Sequence, residues 1–154
     1  MSHLGKRVKN EVIAIQKLPY ITAISNDSEN EIKYSMKGPA GSPFEGGIFK
    51  IRIDLGESPI FNPPTFIMET TIFHPNIGNQ EPLLNKFCPD LLGTKSEVWT
   101  QRNKLIDIVT KIYDLFKGEP NVGSVVNEEA MALYHHEKNQ WIQKCKELTK
   151  QYAK

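Results

Sequence analysis

Residues 42–55 read SPFEGGIFKIRIDL, and this stretch decides the fold. Phe49, Ile51, Ile53 and Leu55 alternate strictly with Lys50, Arg52 and Asp54. Alternation of period two gives one apolar and one polar face, the pattern of a half-buried β-strand. Gly46-Gly47, just ahead of it, reads as a hairpin turn, because glycine accepts the backbone angles that tight turns require. The whole segment from Gly38 to Gly47 is dense in glycine and proline and reads as punctuation between strands. Glu31 to Lys37, upstream of it, is the candidate for the preceding strand.

Working outward, Asn26 to Asn30 is a polar turn. Before it, Leu4, Val8, Val12 and Ile15 recur at helical spacing, with Lys6, Arg7, Lys9 and Lys17 between them. This predicts an amphipathic first helix that stops before Pro19. Downstream, Pro59, Pro63 and Pro64 break the chain, and Thr65 to Phe73 is a second β-rich run. Ile77 to Trp99 carries no strong periodicity, and irregular stretches of that length are commonly functional. A helix follows, with Leu105, Ile106, Ile108, Val109, Ile112, Tyr113 and Phe116 as its apolar positions, and Gly118 and Pro120 end it. Asn127 followed by Glu128 and Glu129 reads as a capped helix start, since acids suit the positive end of the helix dipole. A last helix has Trp141, Cys145, Leu148 and Tyr152 on one face. No repeat or linker interrupts this order. The expectation is an α+β fold with an antiparallel sheet, in one domain over residues 1–154.

The 154 residues are enough for a core of their own, and 39% hydrophobic with 24% charged residues is ordinary for a globular protein. A net charge of +1 gives no whole-molecule field toward nucleic acid or membrane. Met1 to Asn10 is polar and basic, unlike a secretory signal, and no apolar run approaches the roughly 20 residues needed to span a bilayer. Two cysteines make no disulfide framework. A reducing compartment is expected, where a free thiol survives and reacts.

Cys88 stands in the irregular stretch, in Phe87-Cys88-Pro89-Asp90. Pro89 has no amide hydrogen, so the middle of a sheet or helix is disfavoured there. A loop cysteine can be an exposed nucleophile, or a small buried apolar residue. Cys145 shares the apolar stripe of the last helix and is expected to be buried. His74-Pro75-Asn76 lies upstream of Cys88, and a cysteine with a histidine suggests a hydrolase with His74 as base. Zinc would require further ligands at short regular spacings, and none are present. His135 and His136 are expected to be solvated. The glycines of 38–47 lack the Gly-Lys-Ser/Thr ending of a phosphate loop. No cofactor is called for.

Several segments together resemble the ubiquitin-conjugating enzyme family. They are Gly38-Pro39, Ser42-Pro43-Phe44-Glu45-Gly46-Gly47, Phe61-Asn62-Pro63-Pro64, and Phe73-His74-Pro75-Asn76-Ile77, followed by Cys88, Trp99 and Glu119-Pro120-Asn121. They occur in the family's order, and the resemblance runs from the first helix to Gln151-Tyr152-Ala153. It implies a first helix, a four-stranded antiparallel meander, an active-site loop and further helices. It implies that Cys88 accepts ubiquitin or a ubiquitin-like protein from an activating enzyme as a thioester. The modifier then passes to a substrate lysine or a ligase cysteine, in the cytoplasm or nucleus.

By the same resemblance, Asn76 donates to the developing oxyanion or braces the active-site loop, and His74 and Pro75 are architectural. Asp90 is a nearby acid, and Ser124 stands where many members have an aspartate beside the incoming lysine. Lys6, Arg7 and Lys9 match the basic helix that meets the activating enzyme. Phe61 matches an exposed ligase anchor, against the alternative of a core phenylalanine. Three features depart from the family's pattern. The stretches from Asn76 to Cys88 and from Cys88 to Trp99 are longer than usual, and Gln101 and Arg102 stand where small or proline residues are common. The longer stretches leave a second reading beside the enzyme, a non-catalytic variant that acts as a binding module, and Gln101 and Arg102 argue against ordinary RING-ligase docking.

Overall fold

A computed structural model describes residues 3–154, with side chains from residue 5 onward, so the side chain of Leu4 lies outside the described residues. Helix α1 (His3–Gln16) leads into four strands, β1 (Ile21–Ser28), β2 (Glu31–Lys37), β3 (Ile48–Asp54) and β4 (Thr65–Met68). Helices α2 (Pro89–Leu92), α3 (Leu105–Lys117), α4 (Glu128–His136) and α5 (Lys138–Tyr152) follow. The strands form one antiparallel meander in the order β1-β2-β3-β4. Among the described residues, no helix is long and apolar enough to cross a membrane.

The alternation in 48–55 sorts as expected. Phe49, Ile51, Ile53 and Leu55 are buried, together with Ile32, Tyr34 and Met36 from β2 and Phe66 and Met68 from β4. They share one core with Leu105, Ile108, Val109, Ile112 and Phe116 of α3. On the opposite face, Arg52 pairs with Glu31 at 3.7 Å and with Glu69 at 3.8 Å. The turn at Gly46, with φ of 86°, closes a wider loop in which Gly38 N donates to Gly47 O. Gly47 is glycine for a steric reason: a Cβ there would lie 2.6 Å from Thr149 Cγ2 and 2.8 Å from Ala153 Cβ.

Two strand boundaries differ from the sequence expectation. Asn26 to Ser28 belongs to β1 rather than to a turn. The Asn26 side-chain amide donates to Glu31 O at 2.9 Å and also to Ser28 O, so it bridges an irregular end of the β1–β2 ladder. The β-rich run from Thr65 to Phe73 pairs only as far as Met68. Beyond it, Glu69 N bonds Lys50 O at 2.8 Å, and Lys50 N donates to Thr70 Oγ1 at 2.9 Å, which takes the chain off the ladder.

Capping divides the helices. Asn127 Oδ1 accepts from Ala130 N at 3.0 Å, as its position before two glutamates predicted. At the start of α3, Lys104 supplies no side-chain cap. The buried Glu11 of α1 does so instead, accepting from Leu105 N at 2.6 Å. A carboxylate at the positive end of a helix satisfies an orphan amide and suits the dipole.

Phe116 is the hub of the aromatic core, with ring centroids 4.8 Å from Phe44, 5.4 Å from Phe49 and 6.3 Å from Phe87. His74 joins this cluster, stacked on Phe116 at 5.9 Å and edge-on to Trp141 at 6.1 Å. Its Nδ1 accepts from Asn76 N at 3.0 Å, so the proton of the neutral ring sits on the buried Nε2. Burial pushes its pKa down to about 3.

In the unfolded chain His74 returns to an ordinary value of about 6.5. The unfolded state therefore binds the extra proton as pH falls below that value, and stability is lost until the folded value is reached. We expect a loss of about 2 kcal/mol between pH 6.5 and 5 from this group. Urea denaturation of the wild type and His74→Gln across that range measures it. The difference between the two should shrink with falling pH, and a constant difference contradicts the assignment.

Candidate active site

The segment after β4 is built from backbone and side-chain bonds that leave few polar atoms free. Ile77 N turns back to His74 O at 3.1 Å. Pro75 O accepts from Val126 N at 2.9 Å and from Asn127 N at 3.1 Å, just ahead of α4. Asn76 is fully buried. Its Nδ2 donates to Asn121 O at 2.8 Å and to Ser124 O at 2.7 Å, and its Oδ1 accepts from Asn121 N at 2.8 Å. Its carbonyl accepts from Cys88 N at 3.1 Å. One residue thus joins the His74–Asn76 segment, the 121–124 loop and the cysteine.

Cys88 is the N-cap of the one-turn helix α2, with Pro89 as the first helical residue. Proline suits that position, since its missing amide would be unbonded there anyway. Phe87, one residue earlier, is buried, and its amide donates to Phe66 O at 3.1 Å, which anchors the cysteine to the end of β4. Cys88 itself is 6% exposed, at the rim between surface and core. His74 does not serve it: Nδ1 is taken by Asn76 N, and Nε2 is buried without a partner. The cysteine–histidine dyad of a hydrolase is therefore not assembled.

The second thiol is of another kind. Cys145 is buried on α5 and bonds Phe73 O at 3.4 Å, as its apolar stripe implied. Burial pushes its pKa up to about 12. His135 and His136 are exposed at the end of α4, as expected. Among the described residues, no three metal-ligating side chains gather.

The long stretch from Asn76 to Cys88 folds as an ordered lip. Gly78 N donates to Lys86 O at 3.0 Å, Asn85 N to Gly78 O at 2.8 Å, and Met68 N to Asn85 O at 2.8 Å. A Cβ on Gly78 would lie 2.0 Å from Leu83 O, so only glycine closes it. Asn85 takes the left-handed φ of 63° that asparagine tolerates. Beyond the cysteine, Asp90 is exposed and pairs with Lys95 at 3.4 Å. Ser124 is half-buried and contributes its carbonyl to Asn76.

The other predicted positions are on α1, on the loop before β4 and on the turn before α3. Lys6 and Lys9 are exposed on α1, whereas Arg7 is half-buried and donates from Nη2 to Asn103 O at 2.9 Å. Phe61 is 52% exposed and is not a core residue. Its neighbour Ile60 is buried with a φ of 75°, and Ile60 O accepts from Trp99 Nε1 at 2.9 Å. A β-branched residue at positive φ is strained and persists only where its surroundings fix it. The Trp99 bond to Ile60 O links the segment of Phe61 to the one that runs on into exposed Gln101 and Arg102. That turn is closed by Thr100 and Asn103, whose side chains bond at 2.9 Å. Sequence reasoning missed the roles of Glu11 and Lys95, because each depends on a partner that only the fold supplies.

Comparison with known proteins agrees with this geometry. The sequence profile described as "Ubiquitin-conjugating enzyme" matches residues 7–149. Ubiquitin conjugating enzyme E2 B of Dictyostelium discoideum is 31% identical over 152 residues, covering 97% of each chain. Ubiquitin-conjugating enzyme E2 S of Nematostella vectensis is 34% identical over 97% of this chain and 71% of its own. A putative ubiquitin conjugating enzyme from Plasmodium yoelii has a crystal structure that superposes with a TM-score of 0.84 at 25% identity. It covers 99% of this chain and 97% of its own. The match extends over the meander, the His-Pro-Asn segment and the cysteine loop alike, and the chain belongs to the ubiquitin-conjugating enzyme family.

Proposed function

We propose that this chain, acting as a single domain, carries ubiquitin or a ubiquitin-like protein as a thioester on Cys88. It receives the modifier from an activating enzyme and passes it to a substrate lysine or a ligase cysteine. The observation that carries this reading is the bond from Cys88 N to Asn76 O, with the Asn76 side chain gripping Asn121 and Ser124. It ties the backbone at the cysteine, through Asn76, to the 121–124 loop. A thioester is already activated toward amines, so such a site needs positioning more than a strong base. His74, neutral and buried, is consistent with that.

Of the two roles expected of Asn76, bracing is the better supported, since both Nδ2 hydrogens are committed to carbonyls. Donation to an oxyanion would require one of these bonds to be exchanged. Asp90 and Ser124 supply the polar side chains near the thioester. Lys6 and Lys9 offer free charge to an activating enzyme, with Arg7 held by Asn103. Phe61, Gln101 and Arg102 form the ligase-facing surface. The second reading, a non-catalytic binding module, is favoured by the 6% exposure of Cys88. Loading decides between the two.

Incubation with a panel of modifiers, each with its activating enzyme and ATP, should give one adduct on a non-reducing gel that reductant removes. Cys88→Ala should abolish it and Cys145→Ser should leave it intact. Full loading of Cys88→Ala, or no adduct with any modifier, contradicts the proposal.

Asn76→Ala strands Asn121 N and the carbonyls of Asn121 and Ser124, and should lower stability by about 1–3 kcal/mol. Loading and transfer should slow by similar factors. Transfer slowed at least tenfold more than loading, in single-turnover assays, would restore the oxyanion role.

A large charged residue at a docking rim rejects partners by clash and by desolvation. Generic RING ligases are therefore expected to stimulate discharge of the loaded chain weakly. Arg102→Ala with Gln101→Pro should raise the response, and Phe61→Ala should remove it. Strong stimulation of the unmodified chain by several unrelated RING ligases contradicts this.

A further inference from the structure

The 41–46 loop and helix α5 face each other across a groove that the reading above does not use. Two adjoining concavities of about 530 and 360 Å³ make it, and they share Ser42, Pro43, Glu45 and Lys146. The smaller one reaches the end of α3 at Lys117. The walls are fixed from within. Ser42 Oγ donates to Pro39 O at 2.6 Å and accepts from Phe44 N at 3.1 Å. Ile48 N donates to Ala153 O at 3.1 Å, and Gly47, without a side chain, lets Thr149 and Ala153 close on the loop. A groove already in place costs a ligand little ordering.

Its charge is one-sided. Lys117, Lys138, Lys146, Lys150 and Lys154 line it, all exposed, against the carboxylates of Glu45 and Glu119. Five lysines against two carboxylates leave the groove at +3, whereas the whole chain carries +1. Both carboxylates are occupied: Glu119 Oε1 accepts from Lys138 Nζ at 2.7 Å, and Glu45 Oε1 accepts from Gly41 N at 3.3 Å. Among the described residues, Lys117, Lys146, Lys150 and Lys154 have no ion-pair partner. Glu147, on the same helix, instead accepts from Gln143 Nε2 at 3.4 Å. Lys117 and Lys150 stand in last helical turns, where the dipole favours a cation. Lys146, in the middle of α5, gains nothing from that, and it stands one turn from Lys150, where like charges repel.

We propose that this groove docks an acidic peptide segment of a partner protein. Carboxylates of the segment supply the counter-charges that the chain itself does not. From Lys138 to Lys154 the row spans about 24 Å at the helical rise, room for about seven extended residues. A nucleic-acid strand fits less well, because it needs exposed rings for its bases, and Trp141, the aromatic that lines the groove, is 3% exposed. None of the lining residues belongs to the Asn76 tie or to the ligase-facing surface, so the groove is a separate docking point.

The test is fluorescence anisotropy of the full chain with a labelled peptide of alternating Glu and Ser, about ten residues long, at about 50 mM salt. Saturable binding is expected, and it should weaken with added salt, since exposed charges are screened. Amide shifts on titration should fall on residues 41–46 and on α5. Lys146→Gln with Lys150→Gln and Lys154→Gln should weaken binding at least about tenfold, the loss of three charge contacts. Lys17→Gln with Lys37→Gln and Lys111→Gln makes the same change of net charge outside the groove and should leave binding within about twofold of the unmodified chain. All six lysines are exposed, so both variants keep the fold. No saturable binding, an equal loss in the two variants, or tighter binding of a single-stranded DNA oligomer through the same three lysines overturns the inference.

Discussion

The site depends on one buried amide. Asn76 donates both hydrogens of Nδ2 to carbonyls of the 121–124 loop and accepts on Oδ1 from Asn121 N, while its amide donates to His74 Nδ1 and its carbonyl accepts from Cys88 N. A buried amide of this kind is stable only when its partners are all in place, because an unpaired buried polar group is expensive. That all-or-none character holds the cysteine segment and the 121–124 loop in one relation. Pro75 O extends the tie to Val126 and Asn127 at the foot of α4.

The exposed candidate positions are held by buried neighbours. Phe61 reaches solvent because Ile60 beside it is buried and its carbonyl is held by Trp99. The Gln101–Arg102 turn is held from α1, by Arg7 on Asn103 and Glu11 on Leu105. The helix expected to meet the activating enzyme and the turn expected to meet a ligase are therefore parts of one packed unit. His74 plays the same anchoring role inside, as an imidazole kept neutral by burial among Phe44, Phe116 and Trp141.

Much of this was legible in the sequence where local pattern dominates. The strict alternation through Phe49, Ile51 and Ile53 marked β3, and Asn127 before two glutamates marked the start of α4. Cys145 was readable as buried from its helical stripe. Patterns failed where a side chain from afar decides. The β-rich run past Met68 stops pairing because Thr70 captures Lys50 N, and β1 runs on through Asn26 because its amide bridges to Glu31 O. Arg7 looked like a free cation on a basic helix, yet its partner lies far along the chain at Asn103. The lengthened stretch before Cys88 gave no periodic signal, because its order comes from turn bonds at Gly78 and Asn85 rather than from an apolar face.

The His74–Asn76 segment and the 121–127 loop form one cooperative tie next to Cys88. Amide hydrogen exchange measures it most directly, at Asn121 N, Val126 N and Asn127 N, which donate to Asn76 Oδ1 and Pro75 O. These amides, in a loop that is otherwise largely exposed, should exchange as slowly as amides of the neighbouring helices and open together. Rapid, independent exchange at Asn121, with the helices still protected, would contradict it.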